Sequence, residues 1–569
     1  MSLDIKSLEV QLSLGSKSKP QNTCYFTLLQ SKSSCYFMDL PPCIIQHICD
    51  NYLEFQDINN LKKVNKKCNK IKIKHFKQNS KNQNKINQNK INQMPIIFNS
   101  YINHKKSKIN YPNKIEKKLT DEILLNFPFL EILNACDNNK IKNVNHLKHM
   151  KILNASLQCT INNIDGLIYL EELDVSNNNK IKEIRHLKNL KVLHASNHSI
   201  MYKNCNISDD DIINLTNLTA LHASNNSKIK NVNHFTNLKI LDASSQCGIS
   251  DQNIESLINL EILNANDNPK ITFVNHLQKL HTLYADGKCG ITDVGIENLN
   301  LIKLDAYDNQ NITNVSHMTN LIKLNAGGKC NINDQGIQYL QNLVKLKIDH
   351  NKHITNINHM VNLKSLNANS TKINNMGIKG LTKLEKLHIN DNTYITNINH
   401  LIHLKELHAM NDSKLGNDGI KFLTNLIKMN VDNNRNITNI NNLIKLEELS
   451  AKNSKLCDDG IRYVIKLIKL NVDGNQQVKN INHMVNLKIL CAGSNCGLNN
   501  YGILGLFSLE EIYSLGNHKI SKVDHLPYLK IKNVYTPNFV DKSLTDISPY
   551  VMYFLCIMIF LFLVQCMMD

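Results

Sequence analysis

The sequence predicts an α/β solenoid of stacked repeats, preceded by a small helical module. Three observations point there. From Leu130 onward one pattern recurs nineteen times: Leu, two residues, Leu, one residue, a small apolar residue, then polar residues and an Ile. A single copy cannot bury its own apolar face, whereas stacked copies form a continuous core. Apolar residues make up 42% of the 569, enough for a folded core, and the repeat removes the need for three or four ordinary domains.

Residues 1–37 form an N-terminal tail. Its first seventeen residues alternate polar and apolar side chains and contain no long apolar run of the kind a secretory signal carries. The 16 cysteines are therefore expected to be reduced thiols in a cytoplasmic chain, not a disulfide framework.

A helical module is expected over 38–77. Leu40-Pro41-Pro42 opens it, and proline suits a helix start. Ile44, Ile45, Ile48 and Tyr52 follow at helical spacing, as do Ile58, Leu61 and Val64. Two or three helices this short would bury little alone. The stretch resembles an F-box, with Leu40, Pro41, Ile45, Ile48, Leu53, Asp57, Ile58, Leu61 and Val64 at matching positions. It departs from that pattern at Cys68, where tryptophan is usual, and at Pro42-Cys43, where an acidic residue is common. The resemblance implies docking on a Skp-type adaptor of a cullin ubiquitin ligase, with catalysis left to a recruited enzyme.

Residues 78–118 are a basic Asn/Lys-rich linker, low in complexity. Residues 62–118 carry 17 Lys and one acid, Glu116, so +16 of the formal +18 lies there and the rest of the chain is nearly neutral. Few aromatic residues accompany those lysines (Phe98, Tyr101, Tyr111), and nucleic acid is not the expected partner. Residues 119–129, led by Thr120-Asp121-Glu122, are expected to cap the first repeat.

The repeats occupy 130–529. Two unit types alternate: the first is always 20 residues long, the second mostly 21 or 22. The unit from Leu190 to Leu218 is stretched to 28 by an insertion around His198 to Asn206. Leu260-Glu261-Ile262-Leu263-Asn264-Ala265-Asn266-Asp267-Asn268-Pro269-Lys270-Ile271 is a typical copy. These units resemble leucine-rich repeats, the second type the cysteine-containing kind, as in Cys289-Gly290-Ile291-Thr292-Asp293-Val294-Gly295-Ile296. The resemblance implies a curved solenoid with a parallel sheet on its concave face. Position six is often Ala (Ala135, Ala155, Ala243, Ala326, Ala451), which predicts a thin core there.

Three columns invite a chemical reading. Asn stands at position nine of all ten first-type units, from Asn138 to Asn517. The resemblance implies a ladder of amides bonded to backbone, and buried backbone groups require such partners. His recurs in nine of those units, from His146 to His525, with Asn442 in the gap. Column neighbours lie two strands apart, roughly 9–10 Å, too far to share a metal at about 2 Å. Cys159, Cys205, Cys247, Cys289, Cys330 and Cys496 form a third column, replaced elsewhere by Thr371, Ser413 and Ser454. That series reads as small buried residues, not as zinc ligands or nucleophiles.

Positions three and five of each strand are expected to face a partner. Lys303, Lys323, Lys345, Lys386, Lys428 and Lys469 line column three, with Glu406 and Glu448 between them. Column five offers Asp174, Asp242 and Asp305, then His388 and His408. Residues 530–549 are expected to form a C-terminal cap or linker. Residues 551–568 carry no charge and would make a helix roughly 27 Å long. They are expected to form a membrane tail anchor that leaves the solenoid in the cytosol.

No segment offers a nucleophile–base constellation, a phosphate-binding glycine loop or a clustered metal site. The expected function is non-catalytic and without cofactor: a substrate-recognition subunit of an SCF-type ligase, its repeats holding a protein substrate. The alternative is a tail-anchored repeat scaffold that binds protein and has no ubiquitin role.

Overall fold

The computed structural model describes residues 119–197 and 204–533. The F-box-like residues from Leu40 to Val64, the basic linker and the 551–568 segment lie outside them. Among the described residues no helix is long and apolar enough to cross a membrane. The chain divides into two compact units, one ending at Leu238 and the other beginning at Lys239.

In the first unit, five three-residue strands follow a short helix α1 (Asp121–Leu124): β1 (Ile132–Asn134), β2 (Ile152–Asn154), β3 (Glu172–Asp174), β4 (Val192–His194) and β5 (Ala220–His222). Each pairs in parallel with the next, position for position. Leu119, Leu124 and Phe127 bury themselves over the first turn, and the Asp121 carboxylate accepts the backbone N–H groups of Lys142 and Asn143 at 2.8 and 3.1 Å. A second helix, α2 (Asp209–Ile212), follows the insertion and is closed by a capping box between Ser208 and Asp211.

The second unit holds fifteen described strands, β6 (Ile240–Asp242) to β20 (Ile531–Asn533), again parallel and in register. The expectation of a parallel sheet built from the repeats is met within each unit. The physical cause is the spacing. The residues at positions one and four of the copies, leucine except at Met150, Met429 and Ile512, are buried, while positions three and five flank the buried residue on the open side. Each fully buried Leu contributes about 1.5–3 kcal/mol, repeated turn after turn. Position six is sealed by buried alanines in most units and by Val175, Ile348, Ile389, Val431, Val472 or Ser514 in the others.

The two unit types differ in what returns the chain. Second-type units make a single helical turn, as in α3 (Asp293–Ile296) and the 3₁₀ turns Gln335–Ile337, Met376–Ile378, Asn417–Ile420, Asp458–Ile461 and Asn500–Ile503. The acid or amide opening these turns caps the neighbouring first-type turn. Asp293 Oδ1 accepts from Thr313 and Asn314 N–H, Asp334 from Thr355 and Asn356, and Asn417 from Thr438 and Asn439.

β20 falls in the stretch 530–549 that was expected to form a C-terminal cap or linker. It pairs in parallel with β19 (Glu511–Tyr513), but Lys532 stands where the buried Leu belongs, and all three residues are exposed. The apolar signature that marks the other strands is missing here.

Candidate functional site

The open face of the sheet is the candidate site, and each column on it has a distinct chemistry. On β9 (Lys303–Asp305), β10 (Lys323–Asn325) and β11 (Lys345–Lys347) three lysines stand in direct register. Strand spacing puts them roughly 4.8 Å apart at the backbone. Lys303 Nζ lies 2.6 Å from the Tyr284 hydroxyl and 4.0 Å above that ring's centroid.

Acids stand beside this lysine run. Asp286 is half-buried, and its carboxyl is pushed up to about 6, by burial first and then by Asp305, Asp267 and Asp308. The face thus presents a cationic ladder next to an anionic cluster.

Further along, the expected lysine column changes character. On β13 (Lys386–His388) and β14 (Glu406–His408), Lys386 Nζ sits 2.6 Å from Glu406 Oε2. On β15 (Lys428–Asn430), Lys428 pairs with Glu448 of the next strand, and Lys469 stands in register with that same Glu448. Three of the six expected partner-binding lysines therefore have acidic neighbours within the sheet.

The aspartates of column five have a structural task that the sequence reading did not assign them. Asp174 Oδ1 accepts the N–H of Ser176 at 2.9 Å, Asp242 Oδ1 the N–H and hydroxyl of Ser244, and Asp305 Oδ1 the amide of Asn325 at 2.8 Å. Asn134, Asn154, Asn264, Asn430 and Asn471 make the same bond to the N–H two residues on. This is the Asx turn that ends the strands carrying Asn or Asp at position five, and the recurrence of those residues was its signal.

Position eight carries a second unrecognised column. Asp137, Asn177, Asp267, Asp308, Asp391 and Asn433 there all have φ near +55 to +61°, and Gly287, Gly328 and Gly474 take their place in other units. Asn, Asp and Gly tolerate the left-handed conformation best. Leu157 and His350 adopt it too, at φ 62°.

The Asn ladder is built as expected. Asn351 is fully buried; its amide donates to the carbonyls of Ala326, Cys330 and Ile332, and its oxygen accepts from His353 and Ile354 N–H. The His column is structural. Nε2 of His186, His276, His317, His359, His400 and His483 meets an Ile carbonyl of the preceding turn at 2.9–3.2 Å, and Asn442 in the gap donates to the next carbonyl along, that of Lys421, at 3.4 Å.

The six column cysteines are buried. Burial pushes the thiols of Cys159, Cys205, Cys289 and Cys330 up to about 12, and those of Cys247 and Cys496 up to about 11. Because the thiolate is the nucleophile, alkylation of the native chain near pH 8 should spare all six and modify Cys136 and Cys457. Peptide mapping by mass spectrometry checks this; native labelling of any column cysteine would contradict it.

The sequence reading found no clustered metal site, and here the structure adds one constellation. His388 and His408 face each other across β13 and β14 with ring centroids 4.2 Å apart, and both Nε2 atoms lie 3.5 Å from Glu406 Oε1. Burial, then the neighbouring His388, pushes the His408 imidazole below its ordinary value. Burial works to raise Glu406, but Lys386 and His388 outweigh it and hold the carboxyl below the usual range. The signal was available: two histidines at position five of consecutive units, with an acid at position three between them.

No family model matches the chain, and no curated protein matches it either. Solved structures do. The TLR13–ssRNA13 complex is similar at 19% identity, over 73% of this chain and 80% of that one, with a TM-score of 0.49. An internalin of Listeria monocytogenes, InlF, is 22% identical over 58% of this chain and 90% of its own, TM-score 0.34. A leucine-rich repeat protein of Leptospira interrogans is 19% identical over 65% and 98%, TM-score 0.37. The repeat fold stands on this chain's own parallel registers and buried columns.

Proposed function

We propose that the chain is a non-catalytic receptor that holds a protein partner on the open face of its sheet. The observation that carries this reading is the lysine ladder of Lys303, Lys323 and Lys345 beside the acids Asp286, Asp305 and Asp308. A rigid face with charges of both signs at fixed spacing suits a polypeptide that offers complementary charges. In the finer form of the proposal, the partner is a substrate and residues 38–77 dock a Skp-type adaptor of a cullin ubiquitin ligase. Its support is the match from Leu40 to Val64, placed ahead of the repeats.

The test is capture of the full chain from detergent lysate beside a Leu40→Ala/Pro41→Ala double variant. Recovery of a Skp-type adaptor with the wild type alone supports the ligase role. A folded wild-type chain that brings down no adaptor sinks it.

A second reading, a membrane-tethered scaffold without a ubiquitin role, is favoured by the uncharged run at 551–568. It expects the chain to float with membranes and to lose that association when 551–568 is removed. The membrane reading fails if flotation is unchanged.

A further inference from the structure

The geometry points to a metal site on the open face of the second unit: we propose that His388, Glu406 and His408 bind one Zn²⁺ ion. This goes beyond protein binding and does not depend on it.

The argument begins with register. β13 and β14 pair so that His388 is opposite His408 and Lys386 opposite Glu406. Two imidazoles and one carboxylate therefore come from a single hydrogen-bonded strand pair. All three ligand atoms lie within 4.8 Å of one another, and both Nε2 atoms are 3.5 Å from the same oxygen, Glu406 Oε1. Zinc bonds of about 2.0–2.1 Å in a tetrahedron require ligand atoms roughly 3.3–3.4 Å apart. Both nitrogen–oxygen distances are close to that edge, and the two partly exposed rings would have to turn out of their stack to aim both nitrogens at one ion.

The donor set is selective. Two imidazoles and a carboxylate suit a borderline divalent ion such as zinc, while calcium and magnesium prefer oxygen ligands.

An outer partner is present as well. Lys386 Nζ holds Glu406 Oε2 at 2.6 Å, which leaves Oε1 turned toward the histidines. The three ligand side chains remain 19–34% exposed, so an ion has an entry path and its remaining position opens onto the same face.

Lys386 occupies one carboxylate oxygen and both imidazoles converge on the other, which places three ligand atoms around one point. Elsewhere in the second unit column five carries Asn, Asp, Lys, Tyr, Ser and Cys, among them Asn367 and Asn430 on the strands flanking this pair. That column also supplies safe variants. His388→Asn and His408→Asn place in each strand a residue its neighbours already accommodate, so both chains should fold.

The experiment is isothermal titration of the full-length protein with zinc chloride, alongside His388→Asn, His408→Asn and Glu406→Gln, each checked for native melting by circular dichroism. One saturable site is expected in the wild type, weakened at least about tenfold in each variant, with melting unchanged in the absence of zinc. Wild-type affinity in both histidine variants, or no saturable zinc binding by the wild type, would overturn the proposal.

Discussion

Replacing Asn351 with Ala should destabilise the second unit by about 3 kcal/mol or more. The side chain is fully buried and joins three carbonyls to two N–H groups of successive turns. Removing it strands those groups away from water, and each buried unsatisfied group costs about 1–3 kcal/mol. Asn351→Asp separates hydrogen bonding from cavity formation. It keeps the volume but turns a donor toward three carbonyls into a carboxylate, so it should lose at least as much. Lys352→Ala, at an exposed neighbour, should stay within about 0.5 kcal/mol. Urea unfolding followed by circular dichroism reads all three; an Asn351→Ala midpoint equal to that of Lys352→Ala would remove the ladder from the stability account.

Gly460→Ala should cost about 1–3 kcal/mol through overpacking. A methyl group there would sit 1.9 Å from the Thr438 carbonyl oxygen, which is backbone of the preceding turn. Gly336 and Gly419 meet the carbonyls of Thr313 and Thr396 in the same way, at 2.2 and 2.1 Å. The helical turn of each second-type unit lies directly on the turn before it: the N–H of Ile440 donates to the Gly460 carbonyl at 2.8 Å, as Val315 does to Gly336. Gly416→Ala is the control. Its methyl would meet nothing closer than the Asn436 carbonyl at 3.4 Å, so that variant should hold or slightly gain stability. If both alanines unfold at the same urea concentration, the close approach at Gly460 carries no weight.

The parts of the fold that were legible in the sequence are the ones a column repeats with one chemistry. Leu at positions one and four has a single use, burial, and Asn at position nine of every first-type unit leaves little besides a backbone ladder. The cysteine column was equally plain, because Thr371, Ser413 and Ser454 substitute for it. Less legible were residues whose chemistry fits two roles. Asp174, Asp242 and Asp305 have the look of partner-facing acids, yet each accepts hydrogen bonds that terminate its strand or tie it to the next. Asn, Asp and Gly at position eight answer a backbone torsion, which side-chain patterning does not display. β20 was not legible because Lys532 stands where the other strands carry a buried apolar residue. The trio of His388, Glu406 and His408 required the two columns to be read across one strand pair at once, not each along the chain.

The lysine column shows the same limit on the functional side. Six lysines in a row suggest a basic surface, but Lys386 and Lys428 are matched by Glu406 and Glu448, and acids such as Asp286 and Asp305 stand beside the stretch from Lys303 to Lys345. Exposed pairs of this kind add little stability, about 0–1 kcal/mol. Their consequence is electrostatic pattern, and that pattern is what a partner would recognise.

Site-specific photocrosslinking tests the central claim most directly. A photoreactive residue at Lys323 or Lys345 reports on the open face, and one at Tyr339 or Tyr463 reports on exposed positions in or beside the helical turns of second-type units. In cells expressing the full chain, a discrete protein adduct should form from 323 and 345 and not from 339 or 463. Adducts only from 339 and 463, or equal labelling at all four positions, would contradict a partner-binding role for the open face.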